Sequence, residues 1–394
     1  MSNPNFPIID RRNNGSMKWE EQYITKRFEI EDFKEIYPLF IADMDFAMSK
    51  DIKNKMDEYL KTPDFGYFHI EDSFYESIIE WYKNIHHLEI KKEYIVPSIG
   101  TITSLNLLTD CFSRNQRIAI MTPVYGPFEN CANVGHVYHL PLINKETTYE
   151  IDFEGLERLC LNQKITTLLL CNPHNPGGVA WKKEELLRLV QLCKKYDLFL
   201  FVDEIHGEIE LIEDNFTSMV EFFSVYDKIF ISTSPNKTFN ISGLTTSYML
   251  CPNLTLIEQF NQYFNHLHLG YNRMGIKMIE IVYRYGKSWY FELLKYLRTN
   301  YKMVNDILSK TNLKHMFVDC GFLIWIKLPE INDVDDFVIE LAKNTHVLVE
   351  TGSRFITDYE GYIRINMATD YDLLEKAMNL LVEFYTKKVT ANKQ

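Results

Sequence analysis

The sequence predicts an α/β fold with a mostly parallel central sheet, followed by a smaller α+β C-terminal unit. Three observations carry this: short apolar runs without alternation, helical patterns between them, and a change of pattern after about Tyr285. Continuous apolar runs of this length are the mark of strands buried on both faces.

In chain order the runs are Arg117–Thr122, Val137–Leu142, Thr166–Cys171, Leu198–Asp203, Lys228–Thr233 and Ser247–Cys251. A helical pattern at Thr101–Phe112 precedes the first, and Lys183–Tyr196 bridges the third and fourth. Strand–helix–strand alternation is the signature of an α/β domain, here placed at 49–285. Beyond it the pattern gives a long helix over Asn272–Leu308, a strand in Gly321–Leu328 and a helix near Val334–Lys343. Short strands at Val347–Glu350 and Tyr362–Asn366 and a helix at Tyr371–Lys387 complete a small domain, 286–394. Residues 1–48 form an N-terminal arm that joins it.

With 394 residues, the chain exceeds one ordinary core at about 150 residues per domain. Its net charge of −12 and lack of a dense Lys/Arg block argue against nucleic acid or an anionic membrane as partner. Seven scattered cysteines, never spaced CxxC, fit a reducing compartment and neither a disulfide framework nor a zinc site. No basic-then-apolar leader opens the sequence, and no apolar run reaches the ~18 residues of a membrane helix. A cytoplasmic location is expected. The histidines show no metal-ligand spacing, so no metal is expected.

Ligands of open α/β sheets collect at the carboxyl ends of the strands. Three runs end there in polar clusters: Asn172–Gly178, Asp203-Glu204-Ile205-His206 and Ser234-Pro235-Asn236-Lys237. Each alone is ordinary turn, cap or surface chemistry. Side by side they assemble an acid, an amine and amide groups in one cleft. That set suits pyridoxal 5′-phosphate (PLP), which needs a lysine for its Schiff base and an acid facing the pyridine nitrogen. Its phosphate needs backbone N–H groups at a helix start, and Ser98-Ile99-Gly100-Thr101 offers them.

These residues resemble fold-type I PLP enzymes, the class I/II aminotransferase superfamily whose fold is aspartate aminotransferase-like. Asn175-Pro176-Gly177, Asp203–His206 and Ser234–Phe239 stand in that family's order and spacing. Ile9–Arg12, Ser16–Trp19, Ala42–Phe46, Phe65-Gly66-Tyr67, Cys171–Pro176 with Trp181, and Lys237–Leu244 look like its cystathionine β-lyase-like C–S lyase branch.

The resemblance implies that Lys237 carries the cofactor and then takes the substrate Cα proton. By the same resemblance Asp203 pairs with the pyridinium, Asn175 and His206 contact the ring hydroxyl, and Tyr125 stacks on the ring. Gly100, Thr101 and Ser234 hold the phosphate, joined by Tyr67 from a second subunit, which makes a homodimer with shared active sites. Arg364 binds the substrate α-carboxylate, with Asp43 and Tyr67 on the substrate side. Four places depart from the family: Thr245 stands where many aminotransferases carry a phosphate-binding Arg, Asn236 where a Ser is usual, Ala47-Met48 follow Ala42–Phe46 where a Pro is usual, and Thr351–Phe355 lacks the common Pro-Gly start.

The implied reaction is an α,β-elimination of cystathionine or a related cysteine thioether to pyruvate, ammonia and a thiol such as homocysteine. Two alternatives stay open: an aminotransferase acting between an amino acid and a 2-oxo acid, and a PLP-binding protein with a regulatory partner.

Overall fold

The computed structural model describes residues 7–62, 64–356 and 361–391. Its centre is a seven-stranded sheet of β1 (Ile95–Ser98), β2 (Arg117–Thr122), β3 (His136–Pro141), β4 (Thr167–Cys171), β5 (Phe199–Asp203), β6 (Ile229–Thr233) and β7 (Ser247–Leu250). Their spatial order is β1-β7-β6-β5-β4-β2-β3. Only β7 runs against the rest, pairing antiparallel with β1 and β6. The anticipated α/β class with a mostly parallel sheet is the observed one.

Strands β4 and β6 are buried at every position because helices cover both faces. Leu168, Leu170, Leu200, Val202, Ile229 and Ile231 join one apolar core, while Leu169, Phe201 and Phe230 join a second on the opposite face. Each such side chain contributes about 1.5–3 kcal/mol by leaving water, so register is strongly specified. Register fixes the ends: Cys171 lies opposite Asp203, and Asp203 opposite Ser232. The polar clusters therefore leave the sheet side by side.

A second sheet, all antiparallel, contains β8 (Lys314–His315), β9 (Leu323–Lys327), β10 (Glu350–Thr351) and β11 (Tyr362–Asn366) in the order β8-β9-β11-β10. Helices α4 (Lys287–Leu308), α5 (Val334–Thr345) and α6 (Tyr371–Ala391) lie beside it in sequence. The arm reaches this region: Tyr37–Pro38 pairs in parallel with Val347–Leu348, and Asn366 N–H donates to the Leu39 carbonyl at 2.8 Å.

Three local expectations change. The long helix over Asn272–Leu308 is two, α3 (Arg273–Tyr285) and α4, parted at Gly286. A Cβ on Gly286 would meet Phe239 Cε1 and the Val282 carbonyl at 2.4 Å each, so close packing requires glycine there. The strand expected over Val347–Glu350 is also two, because Val347–Leu348 serves the arm and β10 serves β11. The second expected run, Val137–Leu142, begins and ends one residue earlier, at His136–Pro141. Two helices between the strands of the large sheet are α1 (Thr101–Phe112) and α2 (Lys183–Lys195).

Candidate active site

Asp203 ends β5 with its carboxyl buried and Oδ1 accepting from Ile205 N–H at 3.0 Å. Burial pushes that carboxyl up to about 6, opposed by the Ile205 N–H and the Lys237 ammonium. Lys237 follows β6 on a turn, partly buried, and donates from Nζ to the Ala42 carbonyl at 2.7 Å. Burial, then the Arg364 guanidinium, presses its amine down to about 8, while Asp43 and Asp203 act the other way. At pH 7 about a tenth of Lys237 is therefore a free base, far more than of a surface lysine.

Arg364, at the centre of β11, is buried. Its Nη1 donates to Asn175 Oδ1 and its Nη2 to the Phe40 carbonyl, each at 3.3 Å, while Nε has no partner. The guanidinium lies 5.0 Å from the Phe355 ring. Asn175 also holds Tyr125: its carbonyl accepts from Tyr125 N–H at 3.2 Å. Phe355 pairs with Tyr125 across a short antiparallel ladder, leaving the Tyr125 ring partly exposed over the site.

His206 is buried against Phe322, with Nδ1 unpartnered and Gly321 beside it. Burial, reinforced by the Lys237 and Arg364 cations, pushes it down to about 3, so the imidazole is neutral. Glu204 is turned away from Lys237 into the protein: it accepts from Ser218 Oγ, Met219 N–H and Asn172 Nδ2 at 2.7, 2.7 and 3.2 Å. Burial raises it to about 7.

The start of α1 faces the same sheet end. No side chain caps it among the described residues, and Gly100 precedes it at φ 120, a conformation that favours glycine. Gly100 N–H donates to Ser247 Oγ at 2.8 Å. Uncapped first-turn amides and the helix dipole make an anion site. Ser234 is fully buried and its hydroxyl donates to the Thr246 carbonyl at 2.7 Å. Asn236 shares that carbonyl through Nδ2 at 3.1 Å, which gives the residue in place of the usual serine a local role.

Asp43 lies beside Lys237, but its carboxylate is engaged by Arg11 Nη2 at 2.7 Å. Tyr67 is not brought to the site within one chain; it is fully exposed. The sequence reading missed the Ala42 carbonyl, Asn240 and Asn366 as parts of the site. Asn240 and Ala42 stood inside quoted motifs, but a backbone acceptor carries no side-chain signal.

A buried acid, a depressed amine, a neutral imidazole with an orphaned nitrogen and an uncapped helix start together fit PLP. Among the described residues no cluster of metal-ligand type occurs, and no helix is long and apolar enough to cross a membrane.

Residues 37–381 match the family described as Aminotransferase class I and II. The chain is 29% identical to cystathionine beta-lyase PatB of Bacillus subtilis over 377 residues, covering 94% of this chain and 96% of that one. Among solved structures it resembles the PLP-bound C–S lyase of Staphylococcus hominis complexed with L-cycloserine, with TM-score 0.89, 28% identity and 98% of each chain covered. It also resembles cystalysin of Treponema denticola, which contains PLP, with TM-score 0.90, 26% identity, 98% of this chain and 100% of that one.

Proposed function

The chain belongs to the aminotransferase class I and II family, and on that premise we propose that it is a PLP-dependent carbon–sulfur lyase. The Lys237 amine on its turn beside the end of β5 carries the PLP dependence, and the likeness to C–S lyases along nearly the whole chain supports the lyase reading. The substrate class is a cysteine thioether such as cystathionine, supported by the names of its relatives.

Bound PLP supplies an electron sink for the charge left at the substrate Cα. Lys237 anchors it and, once displaced by the substrate amine, removes the Cα proton with its own free base. Asp203 keeps a negative charge toward the pyridine nitrogen, which favours the protonated ring. Asn175 and the neutral His206 would hold the ring hydroxyl, and Tyr125 would support the ring by stacking. The start of α1 at Gly100 and Thr101 would hold the phosphate, and Ser234 would join it by turning its hydroxyl from the Thr246 carbonyl. Arg364 exchanges its long bonds to Asn175 and Phe40 for a paired contact with the substrate carboxylate, where a planar fork fits best. Asp43 borders the substrate side.

Tyr67, exposed here, completes the phosphate site of a second copy in a homodimer. Three structural parts serve this: the arm 1–48, the cofactor domain 49–285 and the small domain 286–394. The break at Gly286 and the pairing of Tyr37–Pro38 with Val347–Leu348 support that division.

Incubation with cystathionine and PLP, without a keto acid, tests the proposal. Sustained release of pyruvate with free thiol is expected. Turnover that begins only when 2-oxoglutarate is added would make the chain an aminotransferase instead.

A further inference from the structure

The stretch from Phe40 to Met44 is laced into place mostly by side chains. The Phe40 carbonyl accepts from Arg364, and the Ile41 and Asp43 carbonyls from Asn366 Nδ2 at 2.6 and 2.5 Å. The Ala42 carbonyl accepts from Lys237 Nζ at 2.7 Å. Met44 is held twice by one residue: its N–H donates to Asn240 Oδ1 at 2.9 Å, and its carbonyl accepts from Asn240 Nδ2 at 2.8 Å. Arg11 Nη1 adds a bond to the same carbonyl at 2.9 Å.

Asn240 and Lys237 leave the same turn, three residues apart. One reaches Met44 and the other Ala42, so the four residues close a ring: Lys237 to Ala42, along the chain to Met44, across to Asn240 and back. Asn240 sits at φ 55, a left-handed conformation that asparagine tolerates better than most residues. Its side chain reads both backbone groups of Met44, as a neighbouring strand would, and this fixes the carbonyl two residues earlier.

That carbonyl matters to the amine. A neutral lysine amine has two N–H groups and one lone pair on a freely rotating bond. Donating one N–H to a fixed carbonyl stops free rotation and confines the lone pair to the two remaining staggered directions. Without it, the amine is left to the charge–charge pull of the Asp43 and Asp203 carboxylates. Beyond Asp43 lie Arg11, Lys18 and Asp45, the buried Lys18 reaching Asp45 at 2.6 Å, so the outer side of the segment is also tied down.

Resting on the lyase reading above, we propose that Asn240 is a positioning residue for Lys237. Its two bonds to Met44 hold the Ala42 carbonyl as the resting place of the amine whenever Lys237 is not covalently engaged. A floating amine attacks an aldehyde and removes a proton more slowly, whereas substrate binding through Arg364 does not depend on it.

Two variants test this. Asn240→Gly removes the side chain and keeps the left-handed backbone; Asn240→Asp keeps an acceptor for Met44 N–H and loses the donor. The first measurement is the rate at which apoenzyme captures PLP on Lys237, trapped with borohydride and weighed by mass spectrometry. The second is kcat and KM with cystathionine, and the third the melting temperature of the apoenzyme. Asn240→Gly is expected to slow capture and lower kcat by about five- to tenfold, the scale of one or two lost hydrogen bonds, with KM unchanged within about twofold. Asn240→Asp should fall between it and the wild type. An Asn240→Gly chain that captures PLP at the wild-type rate overturns the role of Asn240, whether or not it melts earlier. A wild-type chain that captures no PLP instead overturns the underlying function.

Discussion

Arg364 Nη1 and Asn175 Oδ1 meet at 3.3 Å, joining the middle of β11 to the loop that follows β4. The two residues are 189 positions apart in sequence. The contact is long for a charge-assisted bond, and Arg364 Nε has no partner at all. A buried guanidinium with one donor to spare fits the proposed contact with a planar carboxylate.

Arg364→Lys keeps the charge and loses the fork. We expect KM for the amino-acid substrate to rise by about 10- to 100-fold, on the scale of 1.5–3 kcal/mol for a charged hydrogen-bond pair. PLP content, read by absorbance, should stay at the wild-type level. Unchanged KM would remove Arg364 from the substrate site.

Lys237→Ala should bind PLP without a covalent bond and lose at least about 10³-fold in kcat. Borohydride followed by peptide mapping should label Lys237 in the wild-type chain and no other lysine. Label on another lysine would transfer the anchor there.

Asp203→Asn separates stability from activity. The native carboxyl holds its proton to about pH 6, whereas an ordinary aspartate releases it near 3.8. Between those values the folded apoenzyme binds more protons, so its stability falls as pH rises. Above about pH 6 the cost of the buried charge is fully present, on the order of 2–3 kcal/mol. A neutral amide in place of the carboxylate would not carry it. Asp203→Asn apoenzyme should therefore melt higher than wild type at pH 7.5 and nearly level with it at pH 4, while turnover collapses. Thermal melts at both pH values decide the first part, and a gap that fails to widen with pH rejects it.

Tyr67→Phe tests the shared phosphate site. The exposed ring supports nothing among the described residues of its own chain, so the melting temperature of the apoenzyme should not move. PLP affinity should fall about tenfold, as expected for one hydrogen bond to a charged group. Sedimentation should show a dimer for both proteins. A monomer with full activity would exclude a second subunit from the site.

The sheet was legible because two-sided burial leaves a simple trace, and Tyr362–Asn366 was found with its true bounds. β1 was not recognised as a strand: Pro97 interrupts its apolar run, and proline is tolerated there because β1 lies at the sheet edge. The antiparallel direction of β7 left no trace, since a buried strand reads the same both ways. In the site, Asp203, Lys237 and Arg364 were visible as charges where the apolar pattern requires none. The lacing of Phe40–Met44 was not, because it joins side chains to carbonyls about 195 to 325 residues away.

That lacing also sets an order in time. Arg364 and Asn366, which hold three carbonyls of residues 40–44, are made 323 to 325 residues after them. While the chain is still on the ribosome, the wall that Lys237 leans on has no fastening on that side. Cofactor retention thus reports a chain made past Asn366, and chains truncated before Arg364 should reach the cell without a closed site.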